Sequence, residues 1–241
     1  MFTKNSKGRP RGRPPGRTAQ GAATREQLYA VAVKMIAARG YDATTLRDMA
    51  KKAGVSAGLL YRYFPNKRAV VLALYDELSA AYAERAAAMP AGSWGERFLF
   101  ALTTSLAILQ KQRRTLAALV PILIGDGEEG LFAPSTAFSR TRVQAVFDQA
   151  VVGAVDAPPG ADGAALGRLL YAAHLAVILW WLLDKSPRQR ATAELIAMIE
   201  QALPLVAMAL HMDAGLAFVR GADALVRQGL FGENRSSRQS P

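Results

Sequence analysis

The chain has 241 residues, 51% of them hydrophobic, with no cysteine, two histidines and a formal charge of +11. That length is ample for one small and one medium domain. The lack of cysteine excludes disulfides, thiolate metal sites and thiol catalysis. With two histidines, no Gly-rich phosphate loop after a strand and no metal-ligand spacing, no catalytic residue, metal site or cofactor is expected.

The charge is uneven. Residues 1–23 hold six cations and no acid, residues 24–68 nine cations and three acids, and the remainder sums to −1. A molecule that meets a polyanion with one end has this distribution. The first five residues lead into Gly, Pro and Arg instead of an apolar run, unlike a secretion signal. The longest uncharged apolar run, Leu169 to Leu183, has 15 residues, short of the roughly 20 that cross a bilayer. A cytoplasmic location and no membrane partner are therefore expected.

Residues 1–23, with Gly8, Arg9, Pro10, Arg11, Gly12, Arg13, Pro14, Pro15 and Gly16, offer little to bury and read as a disordered arm. Helices are expected from Thr24, which stands in capping-box spacing with Gln27. Leu28, Val31, Ala32, Met35 and Ile36 then follow at helical spacing up to Gly40. Thr45 and Asp48 open a second helix that Gly54 stops, and Ser56 caps a third that Pro65 ends. Three short helices with a tight turn between the last two form a helix-turn-helix.

Asn66 caps a long fourth helix running toward Pro90, and Ser93 with Glu96 opens the next, through about Gln110. Further helices are expected over 113–124, 135–155, 161–185, 187–211 and 213–228. The break from Gly125 to Gly130 is turn-rich, and Ser186, Pro187 and Gln189 form a restart signal. The fold class is all-α, with about nine or ten helices. The expected domains are an arm (1–23), a helix-turn-helix domain (24–68), a larger helical domain (69–232) and a flexible tail (233–241).

The run from Thr45 to Lys67 carries Gly54-Val55-Ser56, Leu60-Tyr61-Arg62-Tyr63-Phe64 and Asn66-Lys67 together. It closely resembles the helix-turn-helix signature of the TetR/AcrR family of bacterial transcriptional regulators, over about residues 24–75. Independently of that resemblance, Met49, Ala50, Val55, Leu60 and Phe64 suit the small core between crossed helices. Ala57, Gly58, Tyr61 and Arg62 are left facing outward, slim enough for a groove about 12 Å wide. The resemblance implies that Arg47, Ala57, Gly58 and Tyr61 contact bases and that Thr45, Arg62, Tyr63 and Lys67 contact phosphates, with Ser56 at the head of the recognition helix. Arg47 is the best bidentate reader of a guanine edge.

Pro10-Arg11-Gly12-Arg13-Pro14 resembles the core of an AT-hook, with Arg11, Gly12 and Arg13 lying in the minor groove of A·T-rich DNA. Such an arm could also act alone, as an architectural A·T-rich DNA-binding protein.

The family resemblance further implies a homodimer built from the two penultimate long helices, with Arg168, Leu175, Trp180, Leu183, Leu195, Met198, Ile199 and Leu205 at the interface. It also implies an effector cavity, for which Phe98, Leu102, Leu106, Leu119, Ile122, Phe138, Phe147, Tyr171, His174 and Trp181 are the candidates. So apolar a wall favours a small hydrophobic effector. The implied function is a ligand-responsive repressor that reads a palindromic DNA operator as a homodimer.

Overall fold

The computed structural model describes residues 19–125 and 127–233 and is all-α, with no strand among them. It contains ten α-helices: α1 (Ala19–Arg39), α2 (Leu46–Ala53), α3 (Ala57–Tyr63), α4 (Lys67–Ala86), α5 (Trp94–Leu109), α6 (Arg113–Leu123), α7 (Ala137–Val152), α8 (Gly160–Leu183), α9 (Arg190–Ala209) and α10 (Asp213–Phe231). The first helix starts five residues before Thr24. Thr24 is not its cap; its hydroxyl bonds back to the Gln20 carbonyl, one turn earlier. The arm residues Arg11, Gly12 and Arg13 lie outside the described residues.

Four helices start where a short polar side chain can take up an orphan N–H. Thr45 accepts from Asp48 N, Ser56 from Leu59 N, Asn66 from Ala69 N and Ser93 from Glu96 N. At Ser93 the Glu96 carboxylate returns the bond to the Ser93 N–H, completing a capping box. Gly54 stops α2 in the left-handed region, with φ of 70°, a conformation that glycine adopts without a Cβ clash.

The start of α9 differs from expectation. Gln189 does not close a capping box on Ser186; it and Arg188 adopt a positive φ of 55°. The corner is held by Asp184 instead, whose carboxylate accepts from Ser186 N, Thr192 N and the Thr192 hydroxyl, while Ser186 Oγ accepts from Ala191 N. These bonds, with the Thr192 hydroxyl foremost, hold the Asp184 carboxyl below its usual range.

Two apolar clusters make the core. The first joins α1 to α4 through Leu28, Ile36, Met49, Leu60, Phe64 and Leu74, and continues into Leu116 and Leu119 of α6 and Trp181 of α8. The second joins the lower half of α4, from Tyr82, to Phe98, Leu102, Phe147, Leu166 and Tyr171, and reaches Val219 of α10. Helix α4 belongs to both, so the three N-terminal helices are seated on the larger body. At typical values each fully buried Leu or Phe contributes about 1.5–3 kcal/mol.

The C-terminal helices are joined by ion pairs. Arg168 of α8 makes a bidentate pair with Asp223 of α10, at 2.6 and 2.8 Å, and Arg220 of α10 makes another with Asp162 of α8, at 2.6 and 2.7 Å. Helices α8 and α9 are in fact long and apolar enough to cross a membrane by length and composition, which the 15-residue run concealed. Yet α8 packs against α7 and α10 and buries Asp162 and His174. Helix α9 turns Leu195, Ile199, Leu203 and Ala207 toward the second cluster and leaves Met198, Leu205, Val206 and Met208 exposed.

Candidate DNA-binding surface and effector cavity

Helix α3 presents a narrow exposed edge. Leu60 and Phe64, four residues apart, are buried against α1 and α2, which turns Gly58, Tyr61 and Arg62 outward. A Cβ added at Gly58 meets nothing within 4 Å. The protein's own packing therefore does not require glycine there, and the absent side chain leaves room for something outside. Arg47 and Thr45 of the preceding helix are exposed as well, Ser56 is exposed at the helix start, and Ala57 is partly exposed.

Three expected phosphate contacts have partners inside the protein. Tyr63 is half-buried against the first cluster. The Lys67 ammonium donates to the Tyr41 carbonyl at 2.7 Å and lies 4.2 Å from the centre of the Tyr41 ring. An ammonium has three donors, so Lys67 can still reach a phosphate. Thr45 is similarly engaged, its hydroxyl donating to Asp48 Oδ2 at 2.7 Å.

The turn after α6 ties the two parts of the molecule together, a role its sequence did not suggest. Glu129 accepts from the Tyr41 hydroxyl at 2.9 Å through its carboxylate, and from the Tyr75 hydroxyl at 3.2 Å through its carbonyl. Glu128 forms an ion pair with Arg68. Burial and the Glu129 carboxylate both raise the Tyr41 phenol above its ordinary pKa, so it stays protonated and donates.

Beneath this turn lies an apolar cavity of about 160 Å³ between α4, α5, α6, α7 and α8, walled by Tyr75, Leu78, Tyr82, Leu116, Leu123, Leu131, Val143, Tyr171, His174 and Ile178 among others. The His174 Nε2 lies 2.8 Å from the Ser105 hydroxyl. Burial pushes the His174 imidazole down to about 3, so it is neutral at physiological pH.

Of the ten residues expected around an effector, Tyr171 and His174 line this cavity. Phe98, Leu102 and Phe147 are buried in the second cluster behind it, and Leu119 and Trp181 in the first. Leu106 and Ile122 are partly buried at the first cluster, and Phe138 is exposed. Helical periodicity marks a buried face but not which part of it borders a void. Of the expected dimer residues, Trp180, Leu183, Met198 and Leu205 are exposed, and Leu175, Leu195 and Ile199 are partly buried. Arg168 is engaged by Asp223 of its own α10.

Three cationic side chains that periodicity did not single out organise this body. Arg97 is buried and donates to the carbonyls of Pro90, Gln149 and Ala150, closing the C-terminal end of α7. Arg113 does the same for α8 through Trp181 and Asp184. Arg140 donates to Leu131 and Ala133 at the cavity edge.

Residues 28–74 match the family model for bacterial regulatory proteins of the tetR family, so this part of the chain is similar to the helix-turn-helix of that family. The transcriptional repressor KstR2 of Mycolicibacterium smegmatis is 42% identical over 57 residues, 24% of this chain and 28% of that protein. The regulator TtgR of Pseudomonas putida is 44% identical over 55 residues, 23% and 26% of the two chains. The fatty acid metabolism regulator protein of Bacillus subtilis is 37% identical over 59 residues, 24% and 30%. The chain thus spans less than a third of the length of these curated relatives.

Likeness in fold extends further. A tetR-family regulator from Streptomyces coelicolor has a TM-score of 0.57 at 24% identity, covering 88% of this chain and 93% of that one. The regulator FadR from Bacillus subtilis, solved with stearoyl-CoA, has a TM-score of 0.58 at 18% identity, covering 72% and 96%.

Proposed function

We propose that this chain, whose residues 28–74 match the tetR-family model, is a ligand-responsive transcriptional repressor that binds a palindromic operator as a homodimer. The observation that carries the reading is the continuity of α4. Its N-terminal end adjoins the recognition helix, and its Tyr75, Leu78 and Tyr82 line the apolar cavity. An effector that favours a different tilt of α4 changes the separation of two recognition helices, and it acts only through its differential affinity for the two arrangements. The Glu129 bridge gives the cavity's roof a second connection to the DNA-binding helices.

The apolar wall favours a hydrophobic effector. One structural neighbour was solved with stearoyl-CoA, and a cavity of about 160 Å³ suits a much smaller molecule. The exposed apolar face of α9 and the end of α8, with Trp180, Leu183, Met198 and Leu205, supports pairing with a second copy, which sets two recognition helices on the half-sites of a symmetric operator. On the DNA, Arg47, Ser56, Ala57, Gly58 and Tyr61 address the major groove, and Thr45, Arg62, Tyr63 and Lys67 the phosphates. The arm, through Arg11, Gly12 and Arg13, follows the adjoining minor groove. In this reading residues 1–23, 24–68 and 69–232 are the arm, the reader and the sensor, the protein acts in the cytoplasm, and it catalyses nothing.

Selection from random duplexes with the full-length protein tests the reading. Recovery of a short palindrome with A·T-rich flanks supports it, and diffuse A·T-rich sequence favours an architectural role. Removal of residues 1–17 is expected to weaken binding and erase the flank preference; unchanged affinity and preference would dispose of the minor-groove arm.

A further inference from the structure

Two buried polar atoms on residues that line the cavity have no hydrogen-bond partner among the described residues: the Tyr82 hydroxyl and His174 Nδ1. Both residues are 3% exposed. Native proteins pair nearly all such atoms, because burying one unpaired forfeits its bonds to water. Their placement is correlated: the two rings are parallel within 3°, with centroids 6.3 Å apart. Phe147 tilts against both, 4.7 Å from His174 and 6.4 Å from Tyr82, and Tyr171 stands 6.3 Å from His174. Three aromatic rings that line a largely apolar cavity, those of Tyr82, Tyr171 and His174, thus pack around Phe147 behind them, and two of the three carry an unspent polar atom.

We infer that the cavity takes a small, uncharged aromatic molecule whose single oxygen function, a ketone or a hydroxyl, is held by Tyr82 and His174. This rests on the reading of the cavity as the effector site. The Tyr82 hydroxyl is a donor to such an oxygen. His174 Nδ1 serves as a second donor when Ser105 donates to Nε2, and as an acceptor from a ligand hydroxyl in the other tautomer. A carboxylate is disfavoured. The charged residue among those lining the cavity is Arg140, which already donates to two carbonyls, and a buried anion without a paired cation is strongly penalised. Size limits the ligand further, since a cavity of about 150 Å³ accommodates benzene; about 160 Å³ fits one ring and a few atoms more.

Four compounds with the same eight carbons separate these features: ethylbenzene, acetophenone, 1-phenylethanol and phenylacetate, titrated calorimetrically into the full-length protein. Acetophenone and 1-phenylethanol are expected to bind about tenfold or more tightly than ethylbenzene. Tyr82→Phe and His174→Phe should each remove most of that advantage over ethylbenzene measured in the same variant. Tyr82→Phe deletes just an unpartnered oxygen, so it decides the matter even if His174→Phe fails to fold. Equal affinity for ethylbenzene, tightest binding of phenylacetate, or an advantage that survives Tyr82→Phe would overturn the inference and leave the cavity an effector site. Absence of binding by all four overturns both.

Discussion

The three N-terminal helices and the body behind them solve opposite problems with similar materials. The N-terminal unit, the DNA reader of the proposed function, turns its candidate chemistry outward: Leu60 and Phe64 fill a small core so that Gly58, Tyr61 and Arg62 can face away from it. The body puts its chemistry inside, with Tyr82 and His174 buried at a cavity wall among apolar neighbours. Function in the first depends on surface shape that folding does not need. In the second, function and stability draw on the same residues, so substitutions there should rarely affect one alone.

Deep substitution in the body should produce the largest effect. Phe147→Ala empties a fully buried site at the meeting of Tyr82, Phe98, Tyr171 and His174, and is expected to cost about 3–5 kcal/mol in a denaturant titration. A single transition would mean that both clusters unfold as one unit; two transitions would show that the contrast extends to folding.

Gly58→Leu tests the other half of the comparison. The site is open within the protein, and leucine favours a helix over glycine by up to about 1 kcal/mol. Thermal stability should hold or rise while operator affinity falls by about 100-fold or more, measured by gel shift on the selected duplex. A parallel loss of stability would show that Gly58 serves packing after all.

Acid should act on the body through His174. Its folded pKa lies near 3 and that of an unfolded histidine near 6.5, so between those values the unfolded chain binds a proton that the folded chain refuses. This stability is present above about pH 6.5 and is lost as pH falls, by about 2 kcal/mol at pH 5. His174→Phe should flatten that part of the stability profile against pH. The smallest effect is expected at the junction, where Glu129→Gln keeps an acceptor for Tyr41 but removes its charge. Stability should drop by less than about 1 kcal/mol at this partly exposed site, with the main change in how far a cavity ligand shifts operator affinity.

Legibility in the sequence followed the range of the interactions. Thr45, Ser56, Asn66 and Ser93 each announced a helix start because a cap and its N–H lie three residues apart, and the recognition helix could be read because its motif is contiguous. Arg97, Arg113 and Glu129 gave no such signal: their partners lie 52 to 88 residues away for the principal bonds. Ser186 does stand before a helical restart at Pro187, but its expected capping box with Gln189 did not form for a related reason, since Asp184, just outside the pattern, took the Ser186 N–H. Cavity walls were hardest to foresee. Phe98 and Phe147 share a helix face with true lining residues and differ from them in which side of the void they stand.

The position of Tyr75, at once a wall of the cavity and a donor to the Glu129 carbonyl, has a consequence for any titration of this protein. Whatever free energy passes along that route passes equally in both directions. A compound that loosens the grip on an operator by some factor must be gripped less well, by the same factor, once the operator is in place. Its apparent affinity is then a property of how much DNA is present. The dose at which half the molecules respond would rise with the number of occupied operators, and a value measured on the free protein would set the lower bound of the range over which the switch operates.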